Sequence, residues 1–204
     1  MKSKFMFIVL ISFTFLACEE IIDHHGNDDN KNHPMVKIMD KMSDNMDKME
    51  MTHDPDHDFA MMMIDHHKGA IEMADYELKH GDNEEIKEMA EKMKNMQQME
   101  IEELEDFMND HAVMPNEQHG MAFMEASEMA MDKMDFRVSM QYLNNKTDHD
   151  FAALMVHHHR SAVEMAEAEI EFGHSEEMKE MAKMMKEDQL KEIEELKEWL
   201  EEHK

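Results

Sequence analysis

Two pairs of adjacent histidines, flanked by methionines at helical spacing, are the side chains of this sequence best suited to binding a metal ion. The two sets of candidate ligands are Met63, His66, His67 and Met73, and Met155, His158, His159 and Met165. Residues three and four apart share one face of a helix, so the first methionine of each set neighbours both histidines. Because thioether sulfur selects Cu(I) and imidazole binds copper in either oxidation state, the pattern predicts copper sites that also accept Ag(I).

A purely structural interpretation of these residues is also open. His66 lies on an apolar stripe with Phe59 and Ala70, and a hydrogen bond alone can satisfy a histidine in a core. Methionine fills irregular helical cores well, so we expect most methionines to pack the interior. Because the histidine pair occurs twice in the sequence, metal binding is the favoured interpretation for these four histidines. The weaker metal candidates, which would serve Cu(II), are His57, His149 and His157.

The two sets belong to a duplicated segment. Residues 56–111 align without a gap to residues 148–203, at an offset of 92, and 29 of the 56 positions are identical. The first repeat is predicted to span residues 35–112 and the second residues 121–204, each with three helices. Asp54 and Pro55 predict the start of the second helix in the first repeat, and Thr147 is the predicted cap in the other repeat.

Helical periodicity runs through both repeats. Methionines from Met35 onward are spaced alternately by four and three, which is one stripe of a helix, and Gly81 and Gly173 predict the ends of the second helices. The sequence therefore predicts an all-α fold. We expect each repeat to contribute a hairpin to one four-helix bundle flanked by the methionine-rich first helices; two independent three-helix bundles are the alternative.

Composition narrows the possible functions. The chain has 204 residues and a formal net charge of −28, which repels phosphate backbones and excludes nucleic-acid binding. From residue 18 onward, 28 methionines outnumber the 27 Leu, Ile, Val and Phe residues together. Packing alone gives no reason to avoid leucine, which specifies a core better. This excess of methionine supports a role in metal binding.

The N-terminus is typical of an exported protein. Residues 1–17 combine two lysines with a short apolar run, as a signal peptide does, and a small residue precedes Cys18, the only cysteine. This resembles the lipobox of bacterial lipoproteins, so we expect lipidation at Cys18. Residues 18–34 are predicted to form a flexible tether. The expected location is the bacterial cell envelope, with the chain anchored to a membrane and facing the periplasm or the exterior.

The repeats also resemble the family known as domain of unknown function 305. The shared residues are Asp56, Asp58, Phe59, Met63, His66, His67, Ala70, Ile71, Met73, Ala74, Gly81, Gln97, Glu100 and Ile101, and in the second copy Asp148, Asp150, Phe151, Met155, His158, His159, Ala162, Val163, Met165, Ala166, Gly173, Gln189, Glu192 and Ile193. The resemblance implies a ferritin-like helical bundle exported from bacteria, and some tandem members bind copper in the periplasm. The second copy departs at Ser161, where the motif usually has glycine, and at His157.

The expected function is an extracytoplasmic protein that sequesters or relays copper for copper tolerance, handing it to a transfer partner that the sequence does not identify. A methionine-rich interaction module of the envelope without a metal role is the alternative. An enzyme is not expected. Only one repeat has the Glu-x-x-His spacing of di-iron sites, at Glu77 and His80, and the chain has no nucleophile motif or phosphate loop.

Overall fold

The computed structural model describes residues 30–204, which form a short 3₁₀ turn and six α-helices. The helices are α1 (Pro34–Met46), α2 (Pro55–His80), α3 (Glu84–Asp110), α4 (Glu117–Met140), α5 (Thr147–Phe172) and α6 (Glu176–Glu202). They confirm the predicted all-α bundle of two three-helix repeats. The predicted signal peptide, Cys18 and the tether up to residue 29 lie outside the described residues. Within residues 30–204, no helix has the length and apolar character needed to cross a membrane.

The starts of the second helices differ between the repeats. Asp54 caps α2 as predicted, because its side chain accepts a hydrogen bond from the amide of Asp56, and Pro55 occupies the first turn. The prediction of Thr147 as the cap of α5 is wrong. That helix begins at Thr147 itself, and Lys146 takes the cap position with no capping hydrogen bond from its side chain.

Glycine ends α2 and α5 for a reason other than backbone conformation. Gly81 and Gly173 follow the last helical residues as predicted, but both are extended, with φ of −73° and −60°. A Cβ on Gly81 would lie 1.9 Å from Oε1 of the buried Glu77, and one on Gly173 would lie 2.0 Å from Oε1 of Glu169. The glycines therefore provide space for two buried carboxyl groups.

These carboxyl groups join the repeats. Glu77 of α2 faces Asp148 of α5, and Glu169 of α5 faces Asp56 of α2. Burial, and then the facing aspartate, raise the pKa of Glu77 to about 8 and that of Glu169 to about 10. Both glutamates are therefore protonated at neutral pH and donate to the aspartate opposite.

The same pairings show that α2 and α5 are antiparallel and pack against each other at the centre. Within each repeat, α3 packs on α2 and α6 packs on α5, while α1 and α4 cover the remaining faces of α2 and α5. The repeats thus contact each other through their second helices and are not independent bundles. The buried methionines are Met35, Met39, Met42, Met46, Met62, Met63, Met73, Met93, Met131, Met134, Met155, Met165, Met178, Met181 and Met185. Methionine is therefore the main core-packing residue in the described chain.

Candidate metal centre

The paired histidines of the two repeats meet in the interface between α2 and α5. His66, His67, His158 and His159 are all 0% exposed. The ring centres of His66 and His158 are 3.8 Å apart, and those within each adjacent pair are 6.4 and 6.1 Å apart. What the sequence predicted as two sites is one cluster of four imidazoles, which we call the histidine cluster.

The central rings of the histidine cluster are uncharged. Burial, followed by the charge that neighbouring rings would add, holds the pKa of His66 and His158 well below 6.5. A neutral imidazole has one N–H donor and one lone pair. The Nδ1 atoms of all four rings lack a hydrogen-bond partner, and leaving a buried polar atom unpaired costs about 1–3 kcal/mol. A metal ion would satisfy such lone pairs.

Carboxylates from the third helices stand beside the outer rings. His67 Nε2 is 2.9 Å from Glu100 Oε2 on α3, and His159 Nε2 is 2.9 Å from Glu192 Oε2 on α6. Neither contact has the directional geometry of a hydrogen bond, although both are short. A carboxylate at this place orients an imidazole and raises its basicity, as it does behind many metal-bound histidines.

Methionine sulfur from the first helix of each repeat approaches the central pair. A Cβ added to Gly69 would lie 2.7 Å from Met42 Sδ and 3.4 Å from His158 Nε2, so both atoms border the space beside this glycine and are no more than about 6 Å apart. Because His158 Nε2 has no hydrogen-bond partner, this half of the centre pairs an unsatisfied imidazole nitrogen with a thioether. We call it the glycine half.

The equivalent half contains a hydroxyl group. Ser161 occupies the position of Gly69, and its Oγ lies 2.9 Å from His66 Nε2 and 3.3 Å from Met134 Sδ. The hydroxyl also donates to the carbonyl oxygen of His158 at 2.7 Å. In this serine half, the side-chain oxygen stands between the imidazole and the sulfur.

A cavity leads towards the glycine half. It has a volume of about 210 Å³, lies between α1 and α2, and is lined by residues that include Met42, Gly69, Asp65 and Glu72. Its lining also includes Lys68 and Lys41, and Lys41 binds Glu72 at 2.8 Å. At the equivalent place in the second repeat, Lys133 binds Glu164 at 2.7 Å, and Arg137 binds the same glutamate at 2.9 Å.

The predicted methionine ligands differ in their relation to the cluster. Met63 and Met155 are fully buried one turn before the histidine pairs, as predicted from the spacing. Met73 and Met165 are also fully buried, but seven helical residues separate each from His66 or His158, which is about 10 Å along the axis. Metal binding by Met73 and Met165 together with the histidines stays a prediction.

The weaker histidine candidates lie outside the cluster. His57 Nε2 contacts the carbonyl oxygen of His111 at 3.0 Å, and His149 Nδ1 is 3.7 Å from Asp150. His157 Nε2 lies 2.9 Å from Gln141 Oε1. Burial, and then two arginine charges, lower the pKa of His157 to about 4.

Sequence reasoning did not single out four groups of the centre. Met42 and Met134 were recognised only as helix-stripe residues, and Glu100 and Glu192 only as motif positions. Each pair is related by the 92-residue offset, as are the histidines. Asking which residues keep their identity in both repeats would have drawn attention to them, but only the packing of six helices shows that they converge.

The comparisons with known proteins agree with this architecture. The family model described as Domain of unknown function (DUF305) matches residues 17–108 and 56–200. The chain belongs to the DUF305 family. None of the curated proteins matches its sequence.

Two solved DUF305 structures are similar in fold. A DUF305 fragment from Deinococcus radiodurans is 20% identical, with a TM-score of 0.54 over 72% of this chain and 96% of the other. A protein from Streptomyces coelicolor described as a putative secreted DUF305 protein is 24% identical, with a TM-score of 0.56 over 74% of this chain and 95% of the other. At this identity the likeness supports the helical fold alone.

Proposed function

We propose that this DUF305 protein binds copper outside the cytoplasm, mainly as Cu(I), and sequesters or relays it for copper tolerance. The observation that carries the proposal is the glycine half. There, the unpaired Nε2 of His158 and the sulfur of Met42 both border the space beside Gly69, and both residues are buried. Imidazole and thioether are a ligand pair that favours Cu(I) over Zn²⁺, Ca²⁺ or Mg²⁺.

The rest of the centre supports the same chemistry. Within residues 30–204, no three of the clustered rings bring one nitrogen each to within 4.8 Å of one another, so at most two of these nitrogens can meet at one ion. Such sparse nitrogen donation suits an ion that accepts few ligands, with thioethers completing its shell. The cavity at Met42 and Gly69 offers a path inward, and we infer that the first ion binds in the glycine half.

The cellular setting is part of the proposal. The predicted signal peptide and lipidated Cys18 would hold the chain at the envelope, and the related Streptomyces protein is described as putatively secreted. Thioethers form no disulfides and need no deprotonation to bind copper, so they suit a compartment where thiolates oxidise readily. The net charge of −28 would attract cations to the surface.

Competition for Cu(I) against a chromophoric chelator, without oxygen, tests the proposal. Met42→Leu preserves an apolar side chain of similar volume but removes the sulfur, and His158→Gln removes the imidazole; both are expected to weaken binding at least tenfold. Met129→Leu is the matched control, because Met129 is 49% exposed on α4 and should bind as the unaltered chain does. Equal Cu(I) affinity in all four proteins would contradict the proposal and favour the interaction module.

A further inference from the structure

A second group of metal-binding side chains lies at one end of the α2–α5 pair, far from the histidine cluster along both helices. Asp54 and Asp56 open α2 of the first repeat, and His174 lies between α5 and α6 of the second. His174 Nε2 is 3.3 Å from Asp54 Oδ1 and 3.4 Å from Asp56 Oδ2. We call these three residues the Asp–His group.

The spacing matches the coordination shell of a divalent ion. Ligand atoms about 2.0–2.2 Å from a tetrahedral Zn²⁺ are about 3.3–3.6 Å from one another. Both distances from His174 to the aspartates lie in this interval. Asp54 and Asp56 are 1% and 3% exposed, while 28% of the His174 side chain is accessible, so an ion could enter from solvent and be held by buried oxygens.

A fourth buried side chain lies beside the Asp–His group. Glu169 is 0% exposed and faces Asp56, to which its protonated carboxyl group donates. Meanwhile Asp54 Oδ2 accepts from the amide of Met114 and Asp56 Oδ1 accepts from that of Ser175, so backbone amides hold both aspartates in place. The result is a fixed set of aspartate oxygens with a fourth carboxyl group beside it.

We propose that the Asp–His group binds one divalent cation of borderline character, with Zn²⁺ as the representative ion, and that Glu169, whose proton the ion would displace to solvent, completes its shell. Oxygen and nitrogen ligands without sulfur favour such an ion over Cu(I). The ion would connect the start of the first repeat's central helix to the loop of the second. This function is separate from copper binding by the histidine cluster.

The opposite end of the molecule provides a natural comparison. Glu77 and Asp148 correspond there to Glu169 and Asp56, but Lys146 replaces Asp54 and Asp82 replaces His174. A lysine cannot ligate while it is charged, and it repels cations. The proposal therefore assigns the divalent site to one end only.

Zn²⁺ titration of the full chain against a fluorescent chelator tests this inference. His174→Ala and Asp54→Asn are expected to weaken one Zn²⁺ site at least tenfold; asparagine keeps the helix cap, so the second variant removes mainly charge. Asp82→Ala, at the position equivalent to His174, should bind Zn²⁺ unchanged. Circular dichroism and the melting temperature verify that each variant is folded.

Two of these single variants distinguish this site from the copper centre. His158→Gln should keep the Zn²⁺ site, and His174→Ala should keep Cu(I) binding. The double variant Lys146→Asp/Asp82→His should gain one Zn²⁺ equivalent. Unchanged Zn²⁺ binding in both His174→Ala and Asp54→Asn would overturn the inference, as would loss of the site in His158→Gln.

Discussion

Ser161→Ala should strengthen copper binding, because it removes the hydroxyl that separates His66 from Met134. Ser161 Oγ lies 2.9 Å from His66 Nε2, and this contact must break before an ion can join the nitrogen to the sulfur. A typical hydrogen bond contributes about 0.5–1.5 kcal/mol net. Without that cost, Cu(I) affinity in the serine half should rise about 2- to 10-fold, at about 1.4 kcal/mol per factor of ten.

The assay is anaerobic competition of the variant and the unaltered chain with a Cu(I) chelator. Ser127→Ala is a matched control, since Ser127 is equally buried but lies on α4, and we expect no change in affinity. The reverse variant Gly69→Ser places new atoms against Met42 Sδ and should weaken binding in the glycine half. A fall in affinity for Ser161→Ala, or no change, would refute the assignment of the serine half.

Three further predictions concern the carboxyl groups. Glu100→Gln should lower Cu(I) affinity about 10- to 100-fold in the chelator assay, because it removes the charge that supports His67; an unchanged affinity would count against that role. Glu77 has a pKa raised from 4.5 to about 8 by burial and then by Asp148, so its contribution to stability is greatest below pH 4.5 and is lost as pH rises to 8. Glu77→Gln should therefore raise the free energy of unfolding at pH 8 by up to about 5 kcal/mol. The urea midpoint of the variant should also depend less on pH than that of the unaltered chain. Parallel pH profiles of the two proteins would disprove this prediction. Gly81→Ala should destabilise the fold by about 1–3 kcal/mol in urea, since its Cβ would overlap the Glu77 carboxyl; a more stable variant would contradict the packing argument.

The helices were predictable from sequence because their signals are local. Methionine at spacings of three and four marks the buried face of α1, and Asp54 with Pro55 marks the start of α2. The duplication likewise predicted two repeats of three helices. Local signals were less reliable at α5, where Lys146 and not Thr147 occupies the N-cap, because the N-cap depends on the residue at which the chain enters the helix.

Candidate ligands were predictable by type but not by grouping. His66 and His67 were recognised as one site and their second copies as another, since helical spacing relates residues within a single helix only. The antiparallel packing of α2 against α5 brings the ring centres of His66 and His158 to 3.8 Å from each other, although the two residues are 92 positions apart in the sequence. The spacing of residues along one helix carries no information about the distance from that helix to another.

Amino-acid sequence alone determined the fold class, the duplication and the residue types able to bind a soft metal, since these follow from helical period, identity at a fixed offset and side-chain chemistry. Tertiary structure alone decided which groups share a site. It brought Met42 and His158 to the space beside Gly69, placed the Ser161 hydroxyl against His66 and Met134 in the other half, and joined Asp54 to His174 from different repeats. Burial between packed helices also removed the charge from the central imidazoles, because desolvation depends on neighbours that the linear chain does not specify.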